Sequence, residues 1–208
     1  MGFLVDIVAS LQQIFTDPLS FYQFFGILGL SFILFAETGL FGFFLPGDSL
    51  LVTLGLIASQ GQIDLHSLIP ALTLATIAGD FFSYFLGLYF RPFVEKNMTK
   101  LYLEKEHLVK AREFYDRHGG KTILFCKFIA FVRTFAPFIA GTTQMNFLRF
   151  VLFDICGAIL WVPGIILTSY YFGKTFQIDI TQIFHYFVFV LGALIILPFL
   201  FKFIKKRA

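Results

Sequence analysis

The sequence predicts an all-α polytopic membrane protein, and three observations carry that expectation. The 208 residues are 58% hydrophobic and 14% charged, with a mean hydropathy of +0.82, which suits a membrane protein better than a soluble domain. Apolar runs that approach or exceed the roughly 20 residues of a helical bilayer crossing recur along the chain. Two of them, 37–59 and 121–145, are interrupted near their middles by proline, glycine and charge. A broken helix survives at membrane depth only where its freed backbone groups are buried in protein or line water. The expected architecture is two re-entrant helical hairpins entering from opposite faces, about four transmembrane helices and an amphipathic N-terminal helix. All of it forms one membrane domain over residues 1–208.

Residues 1–16 place Leu4, Ile7, Val8, Leu11, Ile14 and Phe15 at helical spacing, with Asp6, Gln12 and Gln13 between them. This is an amphipathic helix lying in the interface, ended by Asp17-Pro18. The segment has no Lys or Arg and no small-residue cleavage site, so no secretory signal is expected. Phe21 to Ala36 is an uncharged apolar run. The stretch 37–59 then sets Leu40–Leu45 and Leu50–Ala58 on either side of Pro46-Gly47-Asp48-Ser49, each half too short to span. Asp48 or Ser49 is placed to N-cap the second half. A polar loop from Ser59 to Ser67 leads to a full span, Leu68–Phe90, with Asp80 near its middle and Arg91-Pro92 at its end.

Residues 91–121 are the hydrophilic segment, with eight cations against five acids, read as an amphipathic helix on the membrane surface that stops at Gly119-Gly120. The stretch 121–145 follows as the second hairpin, with Arg133 near its tip. Phe150–Phe172 is a span containing Asp154 and Trp161, with Tyr170 and Tyr171 near one interface. Gly173–Thr181 is a short loop. Gln182–Ile204 is the last span, ending in Lys202, Lys205, Lys206 and Arg207. Charge parity supports the hairpin. Cation-rich segments stay cytoplasmic, and both 91–121 and the tail do so only if 121–145 dips in and returns.

The chemistry gathers on few residues. Arg133 is either a structural ion-pair partner of Glu37, Asp48, Asp80 or Asp154, or an anion-binding group whose guanidinium matches phosphate in a two-pronged fork. A half-helix starting near Pro137 would aim free N–H groups at the same anion. Function is favoured, because intramembrane charges default to it. Lys127 either snorkels to the headgroups or joins Arg133 in binding substrate. Glu37 is either an interfacial carboxylate or a proton carrier, Asp48 a cap or a carrier, and Asp80 and Asp154 counter-ions before they are a proton relay. The expected backbone breaks are Pro46 and Gly47 in the first hairpin, Pro137 and Gly141 in the second.

Other classes are set aside. The net charge of +3 is small and segregated by loop, so nucleic acid is not an expected partner. Cys126 and Cys156 both lie in apolar segments, and the four histidines are scattered without ligand spacing. No phosphate-cradling glycine loop, zinc spacing or nucleophile with a base is evident, so neither an enzyme nor a metal or cofactor is expected.

The pairing of FAETGLFGFFLPGDSLL (35–51) with KFIAFVRTFAPFIAGTTQM (127–145) resembles the DedA family of bacterial inner-membrane proteins, part of a superfamily with the VTT-domain lipid scramblases. The resemblance runs from about residue 21 to 172 and includes Gly79-Asp80, the HGGK before the second hairpin and Trp161. Glu37, Asp48, Arg133, Thr134, Pro137, Ala140 and Gly141 match the family pattern, while Lys127 and Ala130 stand where it has arginine and proline. The resemblance implies two facing hairpins and translocation of a lipid carrier or phospholipid. The implied cargo is undecaprenyl phosphate, or in some members phosphatidylethanolamine, driven by the proton-motive force.

The expected function is therefore transport of a phosphate-headgroup lipid across the bacterial cytoplasmic membrane. Arg133 and Lys127 would hold the phosphate, and Glu37, Asp48 and Asp80 would couple protons. A proton-coupled small-solute transporter and a structural envelope-maintenance protein are the alternatives. The oligomeric state stays open, a homo-oligomer included. Topology gives the first test. With single cysteines at Lys110, Gln177 and Lys206 of a cysteine-free variant, an impermeant maleimide should label only Gln177→Cys in intact cells. Labelling at position 206 from outside would remove the parity argument.

Overall fold

The computed structural model describes residues 17–41, 47–96 and 120–176, and these are helical throughout apart from short connections. Six α-helices follow in order: α1 (Pro18–Ala36), α2 (Gly47–Ser59), α3 (Leu65–Lys96), α4 (Lys121–Cys126), α5 (Ala130–Thr142) and α6 (Phe147–Phe176). A π-helical turn, Glu37–Phe41, continues α1. Among the described residues, three helical segments are long and apolar enough to cross a membrane: Pro18–Gly39, Leu65–Val94 and Phe147–Phe176. The amphipathic segment 1–16, Pro46 with the rest of 42–46, most of the 91–121 segment and the last span with its basic tail lie outside the described residues.

Side-chain caps set where the long helices begin. Asp17 accepts from the backbone N–H of Ser20 at 2.7 Å, with Pro18 as the first helical residue, so the Asp17-Pro18 pair opens α1. Asp64 accepts from the N–H groups of His66 and Ser67, and this starts α3 at Leu65 inside the expected 59–67 loop. The same His66 N–H holds the Asp64 carboxyl below its ordinary range. Asn146 caps α6 through the N–H of Arg149 at 3.1 Å. Arg91-Pro92 does not end the second span, because α3 continues through them to Lys96. Gly26 kinks α1 with φ 60° and ψ −178°, a backbone that glycine adopts without steric cost.

The chain divides into two compact units. The first contains described residues 17–33, 47–72 and 163–176. Within it Leu50, Leu51, Leu54, Leu56 and Ile57 of α2 are almost fully buried. A Cβ at Gly55 would sit 2.5 Å from the Ile166 carbonyl oxygen, so α2 lies directly against the backbone of α6 there.

The second unit contains described residues 34–41, 73–96 and 120–162. Its apolar core is Tyr84, Ile123, Cys126, Ala136, Ala140, Met145 and Phe150. Tyr84 stacks on Phe150 at 4.6 Å and donates its hydroxyl to the Met145 carbonyl at 2.5 Å. Gly141 of α5 meets the Tyr84 carbonyl of α3 so closely that no side chain fits between them. Large apolar side chains such as Tyr89, Leu148 and Leu152 face outward, the disposition of helices solvated by lipid.

Pro137 does not break the second stretch, and neither does Gly141: both lie inside α5. The interruption falls earlier, at Lys127–Ile129, between α4 and α5. There the chain leaves the helix with its polar groups satisfied. The N–H of Phe128 bonds the Phe125 carbonyl, that of Ile129 bonds Cys126, and Arg133 N–H takes up the Ile129 carbonyl at 2.9 Å. Ile129 itself is extended, with φ −111° and ψ 103°. Proline removes one donor only, and a helix packed this tightly on α3 runs through it. Arg133 is thus one turn into α5.

The close crossing of α3 and α5 makes a stability prediction. Gly141→Val should force the two backbones apart and cost roughly 1–3 kcal/mol or more. Gly164→Ala, where a Cβ meets nothing within 4 Å, should be neutral or slightly stabilising. Thermal unfolding of the purified variants in detergent, followed by size-exclusion recovery, separates the two.

Candidate functional site: a buried cluster of five charges

Among its described residues, the second unit buries two cations and three carboxylates. Glu37, Asp80, Asp154, Lys127 and Arg133 are all at most 7% exposed. Each charge is delivered by a separate local device.

Glu37 opens the π-helical turn after α1. Such turns widen a helix and recur at functional sites. Thr38 fixes this one, donating to the Leu34 carbonyl at 3.1 Å with the Thr76 carbonyl of α3 at 3.4 Å. Its hydroxyl occupies the space where Gly79 would carry a Cβ. Gly79 therefore admits the turn against α3, and Asp80, the next residue, sits beside it.

Arg133 donates from Nη2 to Glu37 Oε1 at 2.9 Å. Its guanidinium carbon lies 4.1 Å from the centre of the Trp161 ring. The cation is thus held by a carboxylate and by an aromatic face, an arrangement that strengthens when desolvated. Of the carboxylates considered for Arg133, Glu37 is a direct ion-pair partner.

Lys127 stands at the interruption between α4 and α5 and does not snorkel. Its side chain is 4% exposed, and its ammonium contacts Asp80 of α3 directly and Asp154 Oδ1 of α6 at 2.8 Å. The cost of a buried ammonium is offset only where carboxylates surround it. Gly157, one turn after Asp154, clears the way, since a Cβ there would lie 2.8 Å from Lys127 Cγ. Sequence reasoning placed Asp154 as a counter-ion and missed Gly157. The Asp154-x-x-Gly157 spacing, an acid and a gap on one helix face, is the signal that could have found it.

A small cavity lies among these groups, lined by Thr38, Thr76, Asp80, Lys127, Arg133, Thr134 and Trp161, with room for about one water molecule. The structure therefore brings together Arg133, Lys127, Glu37 and Asp80. Asp48 occupies the first turn of α2, in the first unit, where a carboxylate suits the helix dipole. Gly47 is the first residue of α2.

With this geometry in view, the relatives are informative. Residues 45–175 match the VTT domain. The chain is 36% identical to Protein DedA of Escherichia coli (strain K12) over 174 residues, 82% of this chain and 80% of that one. It is 36% identical over 144 residues to Inner membrane protein YqjA of the same organism, covering 69% of this chain and 66% of that one. An uncharacterised membrane protein of Mycobacterium tuberculosis (strain H37Rv) is 34% identical over 175 residues, 80% of this chain and 76% of its own. No solved structure matches the chain. The chain belongs to the DedA family of VTT-domain membrane proteins.

Removing one member of a buried ion cluster strands the others, at a cost of roughly 3–5 kcal/mol. Lys127→Met leaves Asp80 and Asp154 facing each other and should lower the melting temperature steeply in detergent. The triple variant Lys127→Met/Asp80→Asn/Asp154→Asn should recover much of that loss. A Lys127→Met protein as stable as the wild type would show that the cluster carries no structural weight.

Proposed function

We propose that this protein transports a lipid with an anionic phosphate headgroup, undecaprenyl phosphate or phosphatidylethanolamine, across the bacterial cytoplasmic membrane, coupled to protons. The observation that carries the reading is Arg133, a buried guanidinium paired with the carboxylate of Glu37. A carboxylate is the internal counterpart of a phosphate. Both accept charge-assisted hydrogen bonds from a guanidinium, so a lipid phosphate can take the place of Glu37 while its hydrocarbon chain stays in the bilayer. A proton on Glu37 removes its charge and frees the guanidinium for that exchange. This is a physical route from proton uptake to phosphate binding. Asp48, in the first turn of α2, is a second candidate carrier on the sequence reading. Lys127 supports Arg133 indirectly, because its ammonium is committed to Asp80 and Asp154.

Short helices favour the re-entrant arrangement as part of the same proposal. At 13 residues, α2 and α5 are each about 20 Å long, well short of the roughly 30 Å hydrocarbon core. In this reading they are arms of two hairpins that enter from opposite faces and return.

The experiment is a liposome assay that scores leaflet accessibility of polyprenyl phosphate, phosphatidylethanolamine and uncharged polyprenol. Loss of a charge-assisted hydrogen bond of roughly 1.5–3 kcal/mol corresponds to about 10- to 100-fold in affinity. Arg133→Ala should therefore be nearly inactive. Arg133→Lys, which keeps the charge without the fork, should fall between it and the wild type. Wild-type transport by Arg133→Ala, or equal transport of the uncharged polyprenol, would overturn the phosphate site.

A further inference from the structure

Charge counting within the cluster reveals an asymmetry. Arg133 and Glu37 form a pair of one cation and one carboxylate. Lys127 instead faces two carboxylates, Asp80 and Asp154. With every group ionised, the triad carries one excess negative charge, and all three residues are at most 3% exposed. A buried charge without a counter-charge is neutralised by a proton rather than tolerated. Two carboxylates that share one site divide one proton between them.

We propose that Asp80 and Asp154, bridged by Lys127, hold one exchangeable proton and form the resting proton site of this protein. The inference rests on the transport reading above and adds to it the residue that the sequence had cast mainly as a counter-ion, Asp154. It also gives Lys127 a role different from substrate binding: its ammonium keeps the two carboxylates together and the shared proton on one of them. Asp154 Oδ2 has no hydrogen-bond partner among the described residues, so an acid proton has room to reside there.

Other charged and titratable groups stand around the triad. From α5 comes Arg133, bonded to Glu37 of the π-helical turn and near enough for its charge to act on Asp80 as well, so with every group ionised the five described charges together still carry one excess negative charge. From α3 comes Tyr84, whose hydroxyl is spent on the Met145 carbonyl. From α4 comes the buried thiol of Cys126, neighbour to Lys127. The hydroxyls of Thr38, Thr76 and Thr134 line the water-sized cavity with Asp80 and Lys127. That cavity has room for about one water molecule beside Asp80 and Lys127.

The test uses full-length protein in lipid bilayers and infrared difference spectra across a pH step. The expected result is a carboxylic-acid C=O band of one group per chain that titrates, and shifts when aspartate carries a heavy-carbon label in its carboxyl. It should vanish in both Asp80→Asn and Asp154→Asn, each of which leaves one carboxylate for the lysine. In proteoliposomes, Asp154→Asn should lose acceleration of polyprenyl phosphate transport by an imposed pH gradient while still binding that lipid. No titrating acid band, a band unmoved by the aspartate label, or a band that survives in both variants overturns the proposal. So does an Asp154→Asn protein driven by the gradient as well as the wild type. If the variants do not accumulate, the labelled wild type decides. A wild type that shows the aspartate band but moves no polyprenyl phosphate upholds the proton site and overturns the cargo.

Discussion

The cost of placing charge at membrane depth governs this molecule. Each isolated ion at the centre of a bilayer helix costs about 2.5–3.5 kcal/mol on insertion scales, and five charged side chains are buried among the described residues of one unit. Such a set persists only if every cation reaches a carboxylate. Much of the irregular backbone serves that end. The π-helical turn carries Glu37 to Arg133. The interruption at 127–129 brings Lys127 between Asp80 and Asp154. Gly79 and Gly157 are the gaps through which the turn and the lysine stem approach.

Much of this was legible in the sequence. Apolar runs of spanning length, together with charges inside them, identify a membrane protein and single out Arg133, Lys127, Glu37, Asp80 and Asp154 before any geometry is known. The site of the helix interruption was not legible, because proline and glycine are the usual breakers and neither stands at 127–129. Pro137 removes a single donor, and a packed helix absorbs that loss. The attraction between Lys127 and two aspartates on other helices is a long-range term that local propensity does not contain. The caps at Asp64 and Asn146 were readable in principle, since each is an acid or amide three residues before the N–H it accepts. The apolar run masked them, and both spans were expected to start later than they do.

A guanidinium in hydrocarbon without a counter-charge is costly, and Glu37 meets that need at 2.9 Å. The Trp161 ring faces the same cation from 4.1 Å, so a carboxylate and an aromatic face hold it together.

Lysine at 127, where the family pattern has arginine, fits the same logic. An arginine fork is flat and suits one carboxylate gripped by two parallel bonds. Lys127 has to serve Asp80 on α3 and Asp154 on α6 at once. A compact ammonium with three rotatable donors can point at both, and its slim stem passes Gly157 where little space remains. Lysine at this position therefore places its charge where it bridges two carboxylates. In this chain the Lys127 ammonium belongs to the carboxylates around it.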